Sequence, residues 1–319
     1  MQYIHEAEIA IAAAKQAASL CESVRHSLEF SSVDKPDRSP VTIADFAAQA
    51  IICNQLNQIF PKDAIVAEES AALLYNAPTQ LAKVTELIQT LIPDATSNQV
   101  TAWIDLGQGK VGERFWTLDP IDGTKGFLRG DQYAIAIALI ESGEVKLGVM
   151  ACPAFDEGCL FVAIRGQGAR RISLNTGESQ PIRVASGSCL AESVETSHGD
   201  PERQRSIAEL AGMTMTFQMD SQAKYGAIAS GHAALYLRLP WAQNPNYREN
   251  IWDHAAGAII VEEAGGCVTD TNGQPLNFSI DAQLIENRGI VASNGTIHTA
   301  VLKAITQTNN QVGSEPRAL

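Results

Sequence analysis

Residues 117–130 read Thr-Leu-Asp-Pro-Ile-Asp-Gly-Thr-Lys-Gly-Phe-Leu-Arg-Gly. Two carboxylates, Asp119 and Asp122, stand three residues apart, with Pro120 between them and Gly123-Thr124 directly after. Proline disfavours the helical conformation in the residue before it, so the pair is expected on a turn rather than on a helix face. Residues 113–118 read as a strand with a buried middle, and Gly123 permits a sharp turn out of it. Two carboxylates aimed at one point repel each other unless something positive lies between them. Hard divalent cations accept such oxygens, and Mg²⁺ typically takes one or two carboxylates together with substrate phosphate. Thr124 is expected to cap the segment that follows, leaving backbone N–H groups free for a phosphate. A bare DPxDG string also reads as two consecutive turns, so the rest of the chain has to decide.

The chain has 319 residues, 45% hydrophobic and 18% charged, enough for one large domain or two packed ones and unlike a disordered sequence. No apolar run approaches the roughly 20 residues needed to span a bilayer, and no basic stretch precedes an apolar core at the N-terminus. A cytoplasmic protein is the expectation. Six scattered cysteines (21, 53, 152, 159, 189, 267) lack metal-ligand spacing and suggest neither zinc nor a disulfide framework. The net charge of −13 argues against nucleic-acid or anionic-membrane binding. A small-molecule partner and a monomeric chain are expected.

Helical spacing of apolar residues marks 4–29 as an opening helix, and a second helix is expected from a Thr42 cap through Ala44–Phe60. Ala64–Ala67 reads as a short buried strand that delivers Glu68. Residues 71–92 read as helical, and 93–112 as a polar connection with a short strand near Val100–Ile104. A hairpin spans Tyr133–Cys152 about the turn Glu141–Glu144, with further strands at 158–163 and 169–173. The polar stretch 174–187 divides residues 1–180, carrying the acidic motif, from 181–308, where strands and helices alternate; 309–319 reads as a disordered tail. The pattern predicts an α/β fold with two sheet-containing layers.

A site for two divalent metal ions needs several carboxylates from different segments. The chain offers Glu68 after one strand, Asp119 and Asp122 after another, and Asp253 at a helix start. Asp253 reads equally as an N-cap, and Glu68-Glu69 as a solvated acidic pair. Residues 227–234 read as an apolar, small-residue helix; Lys224, expected in its first turn against the dipole, makes more sense if it contacts a phosphate. Arg238, in the apolar run Leu235–Pro240, needs an anionic partner, either a ligand or an internal ion pair.

The string DPIDGTKGFLRG resembles the signature of the lithium-sensitive, metal-dependent phosphomonoesterases of the inositol monophosphatase superfamily, and its extension TKGFLRG the 3'(2'),5'-bisphosphate nucleotidase branch. SPVTIADFAAQ (39–49), AEES (67–70), DSQAKY (220–225), LYLRLP (235–240) and IWDHAAG (251–257) are similar to that branch, in family order. The resemblance implies an alternating αβαβα layered sandwich with the site between its halves, and two or three Mg²⁺ ions per site. It makes Glu68, Asp119, Asp122, Asp253 and the backbone carbonyl of Ile121 metal ligands. Asp45 and Thr124 would orient and deprotonate the attacking water. Substrate contacts fall to Gly123, Thr124, Ser221, Lys224, Arg238, His198 and Asp253, while His232 and His254 remain structural. The implied reaction converts 3'-phosphoadenosine 5'-phosphate to AMP and phosphate, with 3'-phosphoadenylyl sulfate as a further substrate. The rivals are an inositol (poly)phosphate phosphatase and a silent nucleotide-binding regulator. The full set of Asp45, Glu68, Asp119, Asp122, Thr124 and Asp253 argues against silence.

Overall fold

A computed structural model describes residues 2–26, 32–34, 40–195, 200–240 and 246–312. The chain opens with α1 (Ile4–His26), the short pair β1 (Ser32–Asp34) and β2 (Pro40–Thr42), and α2 (Ile43–Ile59). Then come β3 (Ala64–Ala67), α3 (Ala72–Tyr75), α4 (Pro78–Gln89), α5 (Ser97–Asp105), β4 (Arg114–Asp122) and α6 (Thr124–Arg129). A meander follows: β5 (Ala134–Glu141), β6 (Glu144–Cys152), β7 (Cys159–Ile164), β8 (Ala169–Ser173) and β9 (Ser179–Ile182). The second half runs β10 (Cys189–Glu192), α7 (Pro201–Leu210), β11 (Met215–Gln218), α8 (Ala223–Ala229), β12 (Leu235–Arg238), α9 (Ala255–Glu263), β13 (Cys267–Thr269), β14 (Ile290–Ser293) and α10 (His298–Val312).

Strands β3 to β9 form a seven-stranded sheet in sequence order, antiparallel except for the parallel pair β3–β4. The second sheet is mixed and five-stranded, ordered β11-β10-β12-β14-β13. Side-chain alternation assigns the layers. In β5, Ile135, Ile137 and Leu139 join the core beneath α1 and α2, whereas Ala134, Ala136 and Ala138 face the central layer of α8 and α9. The small residues on that inner face let α9 lie close. A Cβ on Gly148 in β6 would stand 2.5 Å from Ile259 Cγ2 and 2.8 Å from the Ala256 carbonyl. In β12, Tyr236 points into the same central core, while Leu235 and Leu237 pack with Ile207 of α7 and Val301 of α10. The layers therefore run αβαβα, as expected.

Outside the site, four elements differ from the sequence reading. Residues 97–105 form a helix rather than a strand near Val100–Ile104: Thr96 and Gln99 make a capping box, and Val100 and Ile104 are buried one turn apart. The stretch 174–187 contains β9, which extends the first sheet to Ile182; its polar Ser-Gln-Pro-Ile sequence suits an exposed edge and carries no alternation to read. The helix expected over Ala227–Ala234 begins at Ala223 and stops at Ala229. Helix α10 continues to Val312, so residues 309–312 are helical, and 313–319 lie outside the described residues. Among the described residues, no helix is long and apolar enough to cross a membrane.

Candidate active site

Strand β4 does not end at Asp119. It continues to Asp122 through a bulge: Asp119 pairs with Ala136 and Asp122 with Ala134, so three steps on β4 match two on β5. In a regular strand, residues three apart point to opposite faces. The extra residue, inserted where Pro120 has no N–H to offer, brings both carboxylates into the same cleft. The expected turn at Asp119 is thus a bulged strand end. Gly123, at φ +87°, makes the turn out of it.

The cleft, about 280 Å³ in volume, is lined by Glu68, Asp119, Ile121, Asp122, Gly123 and Thr124 from the first half and by Ser221, Lys224, Arg238 and Asp253 from the second. Every site residue expected from the sequence is in it except Asp45, which stands directly behind, and His198, which lies outside the described residues. Glu68 and Asp253 come from different elements than the β4 pair. Glu68 follows β3; the amide of Gln49 accepts from the Glu69 N–H at 2.9 Å, and Gln108 donates to the Glu69 carbonyl at 2.8 Å. Asp253 sits in a 3-10 turn ahead of α9 and accepts from Asn250 at 3.3 Å. It is not the helix cap, because His254 occupies that position and no side chain bonds the first turn.

Asp45 is fully buried. Its Oδ2 accepts from the Thr42 N–H at 2.8 Å and from the Thr42 hydroxyl at 2.6 Å, completing a capping box at the start of α2. Its Oδ1 accepts from the Thr124 hydroxyl at 3.3 Å. Thr124 does not cap α6: it is the first helical residue after Gly123, and its hydroxyl reaches the Ile121 carbonyl at 3.2 Å as well as Asp45.

Burial, then the charges of Glu68, Asp122 and Asp253, pushes Asp119 well above the usual carboxylate range. Burial, then Asp122 and Glu68, does the same to Asp253. Asp122 is raised less, since Lys224 and the Gln222 N–H oppose its burial. Carboxylates this crowded call for positive charge between them, and an all-oxygen donor set suits hard divalent cations. The donor set fits. Glu249, Asp253 and His254 also offer atoms within 4.8 Å of one another, but Glu249 and His254 are committed elsewhere. Arg238 Nε donates to Glu249 Oε1 at 3.1 Å, and His254 links Glu249 Oε2 at 3.2 Å to the Tyr225 hydroxyl at 2.7 Å. The internal ion pair considered for Arg238 is therefore present, while the guanidinium still lines the cleft.

Lys224 is buried beside Asp122, donates to the Met219 carbonyl at 3.1 Å, and stands 5.1 Å over the Tyr236 ring. Burial brings it down to about 8, with Asp122 pulling the other way. Among the residues the sequence did not single out are Gln222, Glu249, Asp220 and Arg129. Arg129, within the 117–130 motif, pairs with Asp131, Glu195 and Asp220, and so ties α6 to the segment carrying Ser221 and Lys224. Gly126 makes room for this: a Cβ there would stand 2.8 Å from Asp220 Oδ2.

The sequence model of the inositol monophosphatase family matches residues 4–310. The chain is 38% identical to a 3'(2'),5'-bisphosphate nucleotidase of Schizosaccharomyces pombe, covering 95% of this chain and 96% of that one. It is 41% identical to a 3'(2'),5'-bisphosphate nucleotidase of Oryza sativa, covering 92% and 93%. Among solved structures it is similar to an IMPase of Thermotoga maritima, with a TM-score of 0.69 and 24% identity over 97% of this chain and all of that one. CysQ of Bacteroides thetaiotaomicron superposes with a TM-score of 0.62 and 23% identity, over 92% and 98%.

Proposed function

The chain belongs to the inositol monophosphatase family, and from that premise we propose that its cleft removes the 3'-phosphate of 3'-phosphoadenosine 5'-phosphate, giving AMP and phosphate. Phosphatase activity follows from the full-length similarity to the nucleotidases. The observation that carries the substrate reading is that the cleft brings two cations, Lys224 and Arg238, together with the carboxylates Glu68, Asp119, Asp122 and Asp253. A substrate with two phosphates can place one at the carboxylate cluster and the other against Lys224 and Arg238. An ester with one phosphate forgoes the contacts with Lys224 and Arg238 and the binding energy they supply.

Two or three Mg²⁺ ions are the cofactor in this reading, held by Glu68, Asp119, Asp122, Asp253 and the Ile121 carbonyl. When bound, such ions neutralise phosphate charge and acidify water. The protein's own contribution is to place a proton acceptor. Asp45 Oδ2 is occupied by Thr42, which leaves Oδ1 to accept from Thr124. With its own proton directed there, Thr124 Oγ1 presents a lone pair that can orient an attacking water and pass its proton to Asp45 Oδ1. Ser221, Lys224 and Arg238 hold the phosphate that is not cleaved, and His198 is assigned to the same task. That remote binding energy positions the reacting phosphate. 3'-Phosphoadenylyl sulfate also carries anionic groups at both positions and is a second candidate substrate.

Phosphate release from a panel of bisphosphate nucleotides, inositol phosphates and simple esters, with and without Mg²⁺, tests the reading. Preference for the 3',5'-bisphosphate and dependence on the metal are expected. Equal or better turnover of inositol monophosphate would overturn the substrate assignment.

A further inference from the structure

One residue on a third segment touches both acidic arms of the cleft. The main-chain N–H of Gln222 donates to Asp122 Oδ2 at 2.5 Å, and its side-chain Nε2 donates to the Trp252 carbonyl at 2.9 Å. Asp122 arrives at the end of β4 in the seven-stranded sheet, whereas Trp252 immediately precedes Asp253 in the turn leading to α9. We propose that Gln222 is a positioning residue that sets the placement of Asp122 against Asp253, and through them the metal affinity of the cleft. The proposal rests on the metal-dependent phosphatase reading above.

The local backbone is shaped for this contact. Ser221 has φ +63°, a left-handed conformation uncommon outside glycine, and the Gln222 N–H that follows it meets Asp122. The Ser221 hydroxyl accepts from the Ala223 N–H at 3.1 Å and steadies the turn. Gly123 has no side chain to block it; a Cβ there would stand 2.9 Å from Ser221 Cβ. A strained non-glycine backbone persists where the surroundings enforce it, and such positions cluster at functional sites.

The side chain is equally telling. Gln222 is 2% exposed, yet its Oε1 has no hydrogen-bond partner among the described residues. A buried amide selected for stability alone would have both ends satisfied, because an unmade buried acceptor is costly. What the amide does provide is an N–H donor to Trp252 without adding a further negative charge beside Glu68, Asp119, Asp122 and Asp253. A glutamate of the same length would place an anion against a carbonyl oxygen and worsen that crowding.

The test compares the wild-type chain with Gln222→Met, which keeps length and volume but loses the side-chain donor to Trp252, and Gln222→Ala, which cannot overpack; both keep the main-chain N–H to Asp122. Mg²⁺ alone is titrated by calorimetry, and thermal unfolding is followed in EDTA and in saturating Mg²⁺. Outer-shell partners of metal ligands typically govern affinity by 10–100-fold, so a loss of about tenfold in Mg²⁺ affinity is expected for both variants. The metal-induced rise in Tm should shrink while the Tm in EDTA changes little, and kcat should fall with KM for the bisphosphate nearly unchanged. Wild-type Mg²⁺ affinity in both variants would overturn the proposal. So would a lowered Tm in EDTA with an undiminished metal-induced rise, since that marks a purely structural role. A wild-type protein that neither binds Mg²⁺ nor releases phosphate would instead remove the functional reading itself.

Discussion

Replacing Glu249 by glutamine removes the charge that pairs with Arg238 and leaves the shape of the side chain intact. Burial alone would raise Glu249, but the Arg238 charge and the hydrogen bonds from His254 and Arg238 outweigh it and hold the carboxyl at about 2, against an ordinary 4.5. At about 1.36 kcal/mol per pH unit, that gap makes ionised Glu249 worth ~3 kcal/mol of stability at neutral pH. The figure agrees with the roughly 3–5 kcal/mol lost when one member of a buried ion pair is removed and the other is stranded. The folded value lies below the unfolded one, so the contribution is fully present above about pH 4.5 and disappears as the pH falls through about 2. Glu249→Gln should therefore lower Tm in EDTA at pH 7 by roughly 5 °C or more. The stability difference from wild type should narrow to about 2 kcal/mol at pH 3.5. Thermal and urea unfolding at the two pH values would decide it. A variant as stable as wild type at pH 7, or a difference that is the same at both pH values, would refute the placement of Glu249 as the partner of Arg238.

Asp122→Asn should reduce kcat by about a thousandfold or more, since metal catalysis supplies several kcal/mol; near-normal turnover in the folded variant, by phosphate release, would contradict the assignment of the carboxylate cluster. Lys224, brought down to about 8 by burial, should lose its proton as pH rises past that value, so KM for the bisphosphate should climb above pH 8 and stay flatter in Lys224→Arg. Arg238→Ala should raise KM for bisphosphate nucleotides more than for simple phosphate esters; an equal effect on both substrate classes would place Arg238 in the fold or the catalytic centre. Arg129→Ala should free Asp220 and the segment after it, raising KM for the bisphosphate with less effect on kcat, as steady-state kinetics would show.

The strands and helices with strong periodicity were legible along the chain, including α1, α2 from its Thr42 cap, β3 and the β5–β6 hairpin. Helix α5 was not. A run of five apolar and β-branched residues is too short for its period to distinguish helix from strand, and the Thr96–Gln99 capping box ahead of it was the signal to weigh instead. Strand β9 had no readable pattern, because an edge strand with both faces wet is not required to alternate.

Of the site, the sequence by itself determined which side chains could do the chemistry. Asp119 and Asp122 about Pro120, Glu68 after β3, and Asp253 before α9 are set by local order, and local order also places Asp45 three residues after Thr42. The tertiary structure decided how they face one another. The bulge that turns Asp119 and Asp122 to one side exists only because β4 pairs with β5 across it. Asp45 meets Thr124 only once α2 packs against β4, joining residues 79 apart in the chain. Glu249 acquires its role from Arg238 on β12, and Gln222 from carboxylate and carbonyl groups 100 and 30 residues away. A hydrogen-bond partner at that distance leaves no period and no spacing in the sequence, since it is chosen by the packing of two sheets against the layer of helices between them.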